Sequence, residues 1–249
     1  EQTDSAEIES IRESAAAYNK TITPGAAEKA YSQESIRLAA EDYVNQVDVS
    51  GSGIMGYVEI PKIGADLPIY HGTGADSLDR GTGHLLGSSL PVGGESTHTI
   101  ITGHSGMASQ KMFTDLEQLR EGDIFYLHVL DETLTYEVRE IHTVLPHDTT
   151  YLGIEPGEDL CTLVTCTPTG VNTHRLLVHG SRIPYVPTEE TEASAVLHEE
   201  NTDSNWEKQY WLLGLAAMVF LTLVAGAVLY IRRNRGRAVH RKGGRYVRK

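Results

Sequence analysis

The chain has 249 residues, enough for one large domain or two small ones, and its 40% hydrophobic content supports a sizeable core. Its formal net charge of −13 is unevenly spread: nine Lys/Arg and no Asp or Glu lie from Arg232 onward, whereas the first 210 residues hold twelve basic residues against all 34 acidic ones, a net of −22. An acidic body excludes a nucleic-acid footprint, which needs clustered cations.

In chain order, "SAEIESIRESAAAYN" (5–19) is rich in Ala and Glu, with Ile8 and Ile11 at helical spacing, and is predicted helical. "TITPGA" interrupts it. "AEKAYSQESIRLAAEDYVNQV" (27–47) predicts a second helix with Tyr31, Ile36, Leu38 and Val44 as core contacts, and "DVSGSG" ends it. From Ile54 the pattern changes to short runs rich in Val, Ile, Thr and Tyr, punctuated by Gly, Pro or Asp. They are "IMGYVEIPKI", "DLPIYHG", "HTIITGH", "DIFYLHV", "TLTYEVREIHTVL", "LCTLVTC" and "RLLVHGSRI", all predicted as strands. A hairpin is expected around Asp131-Glu132 and a brief helix at "KMFTDLEQL" (111–119). Short strands without regular helical alternation favour a mainly β fold, a closed or nearly closed barrel, over a parallel α/β sheet.

"VPTEETEASAVLHEENTDSN" (186–205) is acidic, polar and nearly free of aromatics, the composition of a flexible stalk. "WLLGLAAMVFLTLVAGAVLYI" (211–231) has neither charge nor proline and, as a helix rising ~1.5 Å per residue, spans about the hydrocarbon thickness of a bilayer. Tyr210, Trp206 and Trp211 flank one end and Tyr230 the other, as interfacial aromatics do. The basic tail after it is expected to be cytoplasmic and residues 1–210 external. A buried core helix and a cleaved anchor tail are the alternatives. Residues 1–30 contain no export signal and the first residue is Glu1, so such a signal is expected to have been removed. The organisation expected is a helical segment (1–50), a β-barrel (51–187), a stalk (188–210), a transmembrane helix (211–231) and a cytoplasmic tail (232–249).

Chemistry centres on the two cysteines. Cys161 and Cys166 lie five residues apart in one predicted strand, which puts them on opposite faces and roughly 16 Å apart, too far for a disulfide. No Cys-x-x-Cys or His-x-x-x-His spacing is present, so a metal site built from His98, His104 and Cys166 has little support, and no cofactor is expected. Cys161 reads as core. Cys166 ends a strand before a Thr-Pro turn, where scaffolds present reactive groups. A nucleophilic thiol also needs a proton acceptor and a donor for the oxyanion. If "TPTGVNTH" turns the chain back, Arg175 opens an antiparallel strand beside Cys166 and can supply that donor. His104, in the turn "TGHSG", is one of eleven histidines, and spacing alone does not select it.

"TLVTCTP" with Arg175 nine residues after the Cys, "IITGHSG", and "GYVEIPKIGADLPIYHGT" together resemble the sortases, cell-wall transpeptidases of Gram-positive bacteria; "MFTDLEQLREGDIFYL" and "VLPHDTTYL" extend the likeness over residues 54–185. "TCTPTGVNTHRLLVHG" and the C-terminal apolar segment are most similar to class C, the pilin-polymerising sortases. The resemblance implies an eight-stranded β-barrel with N-terminal helices. It implies His104, Cys166 and Arg175 as catalytic residues, and cleavage of a Leu-Pro-x-Thr-Gly-like sorting signal between Thr and Gly. It implies acyl transfer to an amine, a pilin lysine, or to a peptidoglycan precursor if the enzyme is a housekeeping anchoring sortase. A hydrolytic cysteine protease, an L,D-transpeptidase and a non-enzymatic pilus-assembly scaffold are the rival classes. Three departures stand out. No Asp-Pro-aromatic lid motif occurs between residues 1 and 55, so either the lid is absent or residues 20–35 form an unlatched version. Thr169 stands where the class often has an aromatic, and Ser105 where it often has Arg.

Overall fold

β-Branched and aromatic residues alternating with polar ones build eight strands in the computed structural model, which describes residues 5–22, 42–49, 51–107 and 111–185. The strands are β1 (Ile54–Ile60), β2 (Ala65–His71), β3 (Thr82–His84), β4 (Thr97–Thr102), β5 (Ile124–Val129), β6 (Glu132–Val144), β7 (Asp159–Thr167) and β8 (His174–Ile183). They close into a barrel in the order β1-β2-β3-β4-β7-β8-β6-β5. β2/β3 and β4/β7 pair in parallel and every other neighbouring pair is antiparallel. β5 and β6 form the expected hairpin, turning at Leu130–Asp131.

Seven strands follow from the apolar runs; β3 does not. It is three residues long, fully buried and flanked by glycine, so it has no alternation to read. "IMGYVEIPKI" is also not one strand: proline cannot continue the ladder, and Pro61–Ile63 makes a 3-10 turn instead. Similarly, 111–119 is a run of turns with 3-10 helix only at Leu116–Gln118.

The interior is filled from alternate positions. On β7, Cys161 and Leu163 point inward and are completely buried. Ile60, Ile69, Ile101, Phe125, Leu127 and Val178 join them from the other strands. Gly180 on β8 lets the Phe125 ring come close; a Cβ there would lie 2.6 Å from a Phe125 ring carbon. Phe125 in turn stacks on Tyr136 at 5.5 Å.

The helix α1 (Ser5–Asn19) lays Ile8, Ile11, Ala15, Tyr18 and Asn19 along one side, the spacing of an amphipathic helix. Its last turn docks on the β3–β4 loop: Asn19 Nδ2 donates to the Leu90 carbonyl at 3.2 Å and Leu90 N–H donates back to Oδ1 at 2.7 Å. The second helix, predicted to run to Val47, gives way to a turn at Val44: among the described residues only Asp42 and Tyr43 are helical there. Val44 is 49% exposed rather than a core contact, and Tyr43 is buried instead. The Tyr43 hydroxyl hydrogen-bonds with His84 Nδ1 at 2.9 Å and accepts the Gly72 N–H at 2.9 Å.

Tyr31, Ile36 and Leu38, the stalk, the span at 211–231 and the basic tail lie outside the described residues. Among the described residues no helix is long and apolar enough to cross a membrane.

Candidate active site

Sheet register brings three distant residues together. β4 and β7 run parallel, with Thr102 opposite Val164, so both strands end on the same rim of the barrel. β8 runs antiparallel to β7 and starts on that rim, which makes Arg175 the direct cross-strand partner of Cys166. His104 sits two residues beyond the end of β4. All three line a cleft of about 300 Å³ on the outer face of the β4/β7/β8 sheet.

The side-chain directions follow from strand parity. Inward-facing Cys161 is a core residue; five positions on, Cys166 faces the cleft and is half-buried, and both thiols are free. Burial and the nearby Asp159 carboxylate push the Cys161 thiol well up, so that thiol stays protonated and inert.

The turn carrying His104 is fastened to β7 on both sides. Gly103 N–H donates to the Val164 carbonyl at 3.0 Å, and the Thr165 hydroxyl donates to the Gly103 carbonyl at 2.8 Å. The Ser105 hydroxyl donates to the Cys166 carbonyl at 2.7 Å. The His104 carbonyl accepts the Phe113 N–H at 3.0 Å. Gly103 has no Cβ because the buried Phe113 ring occupies its place: a Cβ would meet that ring at 2.7 Å. The imidazole itself is left partly open, its side chain 38% exposed, with Nε2 at 3.9 Å from Asp79 Oδ1.

Arg175 is held by the loop it follows. Its Nη1 donates to the carbonyls of His174 at 3.0 Å and Asn172 at 3.3 Å. The loop folds back because Val171 and Asn172 N–H both donate to the Pro168 carbonyl at 2.9 Å. Among the described residues no other donor of the guanidinium is engaged, so the rest of the fork is free for a ligand in the cleft.

The walls are mostly apolar, from Leu78, Leu85, Ile100, Val164, Leu152 and Leu177. Asp148 and Thr149 close one side from the β6–β7 loop, and Thr73 from the β2 side. No residue of 5–22 or 42–49 lines the cleft, and residues 23–35, the bulk of the segment in question for a lid, are outside the described residues.

Farther along the same sheet face, a histidine network anchors the β6–β7 loop. Thr162 Oγ1 bridges His98 Nε2 at 2.6 Å and His179 Nδ1 at 2.7 Å, and His98 Nδ1 hydrogen-bonds with the Gly153 carbonyl at 2.7 Å. One hydroxyl gives one proton and accepts another, which fixes opposite roles for the two ring nitrogens. Tyr151 stacks on His142 at 3.9 Å, and His142 Nε2 lies 2.9 Å from Glu140. Burial lowers the pKa of His98 and takes that of His179 down to about 4, so both rest neutral. Among the described residues no three His, Cys, Asp or Glu side chains are placed to hold a metal ion. His98, weighed as a ligand from the sequence, is committed to Thr162 and Gly153 instead.

Of the site residues named from the sequence, the structure brings all three to one cleft. Sequence reasoning missed Asp79, which follows a four-residue helix in "GADSLDRG" and has no periodic signal. It noted Ser105 only as a departure.

Comparison with known proteins follows this geometry closely. A family model described as a sortase domain matches residues 58–183. Sortase D of Bacillus subtilis is 32% identical over 131 residues, covering 51% of this chain and 63% of that protein. Among solved structures, sortase A of Corynebacterium diphtheriae, a lid mutant, is 42% identical with a TM-score of 0.68, covering 75% of this chain and 99% of that one. Sortase C of Streptococcus pneumoniae, described with its pilin substrate specificity, is 44% identical with a TM-score of 0.64, covering 75% and 94%. The chain spans less than two thirds of the length of the curated relatives it matches.

Proposed function

The chain belongs to the sortase family, and from that premise we propose that it is a membrane-tethered cysteine transpeptidase that polymerises pilins. The observation that carries the reading is the convergence, through strand register, of Cys166, Arg175 and His104 on one apolar-walled cleft. The sequence spacing of these residues spans three separate segments, and nothing about a structural cysteine requires that meeting.

In the proposed reaction the Cys166 thiolate attacks the Thr carbonyl of a Leu-Pro-x-Thr-Gly-like signal. The C–S bond forms and the Thr–Gly bond breaks, with His104 as imidazolium giving its proton to the departing Gly amine. Arg175 orients the carbonyl and meets the charge that develops on its oxygen, a role typically worth about 3–4 kcal/mol. A pilin lysine then attacks the thioester with His104 as base, and the amide bond replaces the C–S bond. The apolar walls suit the Leu and Pro of such a signal, since pockets of this kind take apolar side chains and fix them with a few polar groups.

The acceptor is read from relatives. The 44% identity to a sortase C described with its pilin substrate specificity supports a pilin lysine. Ser105 and Thr169 stand at positions where the class often has Arg and an aromatic, and the second reading is an anchoring sortase that uses a peptidoglycan amine. The apolar segment 211–231 supports tethering, which raises the effective concentration of enzyme and membrane-bound precursor.

The test is direct. The full chain in detergent is incubated with sorting-signal peptides and its intact mass is read. A thioester on Cys166, absent in Cys166→Ala and released as an amide by an added lysine peptide, is expected. The absence of an adduct with every peptide would sink the reading.

A further inference from the structure

The carboxylate of Asp79 is placed as a receiver of positive charge at the edge of the cleft. The short helix α2 (Ala75–Leu78) sends Leu78 into the cleft wall, and Asp79 is its C-cap, its N–H donating to the Ala75 carbonyl at 2.9 Å. The backbone of Asp79 is therefore fixed while its side chain, 67% exposed, stands beside the imidazole. The 3.9 Å from Oδ1 to His104 Nε2 is longer than a hydrogen bond. The adjacent cation does not neutralise it: the Arg80 guanidinium lies over the Tyr70 ring at 4.3 Å. Among the described residues Asp79 has no other ion pair, and Asp76, one turn earlier on the same helix face, adds a second exposed negative charge.

The second half-reaction needs such a group. An acceptor lysine reaches the enzyme as an ammonium, its ordinary pKa being about 10.4, and cannot attack until it loses a proton. Water needs no such help. We propose that Asp79 is the docking point for the cationic acceptor, holding its ammonium so that one N–H faces Nε2 of His104. This rests on the transpeptidase reading above and names the acceptor's half of that site. In the step, the ammonium gives one proton to neutral His104, and the freed lone pair attacks the thioester carbon. The C–N bond forms, the tetrahedral intermediate loses its second N–H proton to solvent, and the C–S bond breaks with its electron pair going to Cys166. Thiolate and imidazolium are thereby regenerated for the next acylation. Arg175 and Asp79 divide the work by charge: the cation meets the acyl oxygen and the anion meets the amine.

The experiment compares acceptors on one acyl-enzyme. The full chain is acylated with a sorting-signal peptide and offered either a lysine peptide or hydroxylamine, which is uncharged at neutral pH. Asp79→Asn is expected to raise the lysine KM about two- to fivefold relative to the hydroxylamine KM, the size of an exposed ion pair. Asp79→Glu is expected to restore most of the ratio. Raising salt is expected to raise the lysine KM of the wild type and not of Asp79→Asn, because exposed charges are screened. An unchanged ratio in Asp79→Asn overturns the proposal. So does an equal loss with both acceptors, which would make Asp79 a positioning residue for His104. A wild type that forms no acyl-enzyme at all removes the transpeptidase reading and the proposal together, and the acylation arm reports that separately.

Discussion

The Ser105 hydroxyl donates to the backbone carbonyl of Cys166 at 2.7 Å, so the turn bearing His104 is pinned to the strand end bearing the thiol. The bond runs from a side-chain hydroxyl to a main-chain carbonyl, so it engages neither the imidazole nor the sulfur. Ser105→Ala is expected to cost only about 1 kcal/mol of stability, the net worth of one such hydrogen bond. It is expected to lower the rate of acylation several-fold at unchanged KM for the sorting-signal peptide, because only the spacing of the pair is loosened. Thermal melts and steady-state kinetics on the same preparation separate the two effects.

Arg175 gives a sharper expectation. Its register opposite Cys166 fixes where the guanidinium can reach, and Nη1 already braces the loop through Asn172 and His174. Arg175→Ala is expected to slow acylation by about 10²- to 10³-fold, the usual loss of one oxyanion donor. Arg175→Lys keeps the charge but not the planar fork, so it is expected to recover little. Rapid-mix mass spectrometry of the acyl-enzyme measures both.

Gly103→Ala tests the packing beneath His104. The added methyl would sit 2.7 Å from the completely buried Phe113 ring, and neither the ring nor the β7-bonded backbone has room to retreat. A loss of about 1–3 kcal/mol is expected from overpacking, read by urea unfolding. Gly103→Ala/Phe113→Leu is expected to recover part of it, since the ring is the obstacle.

Stability is expected to fall in mild acid. His84 and His179 have pKa values lowered to about 4 by burial, against about 6.5 in the unfolded chain. Between pH 6.5 and 4 the unfolded chain takes up protons that the folded one refuses. The stability due to their neutral forms is therefore complete above pH 6.5, falls through that window and levels off below pH 4. Each such shift corresponds to roughly 3 kcal/mol. Around His179 the facing groups are Glu140, His142, His98 and Arg139, of which the carboxylate favours protonation and the others oppose it. Urea titrations at pH 7.5 and 4.5 measure the drop, and His179→Gln is expected to flatten it.

Much of the barrel was legible because half-buried strands write their own pattern. "TLTYEVREIHTV" alternates inward Leu134, Tyr136 and Val138 with outward residues, and β6 follows it. Cys166 and Arg175 were legible as neighbours because a short turn between antiparallel strands leaves few registers. β3 was not, since three buried residues carry no period. Nor was the parallel β4/β7 pairing, which joins segments some sixty residues apart and is decided by the whole barrel. That pairing places His104, and for this reason local physics left the histidine open while a family likeness could name it. Val44 failed because the helix ends at Tyr43: Val44 falls in a turn facing solvent, and Val47 is buried from a bend with a left-handed backbone, which helical spacing does not foretell.

β7 has a mechanical consequence of its own. It is the middle of three strands, clamped by six paired residues to β4 and eight to β8. A polymer covalently attached at Cys166 would pull on the end of that strand. A pull along the strand axis must shear both ladders at once instead of unzipping one from an edge. The residue proposed to carry a growing fibre therefore sits at the end of a strand held along both sides.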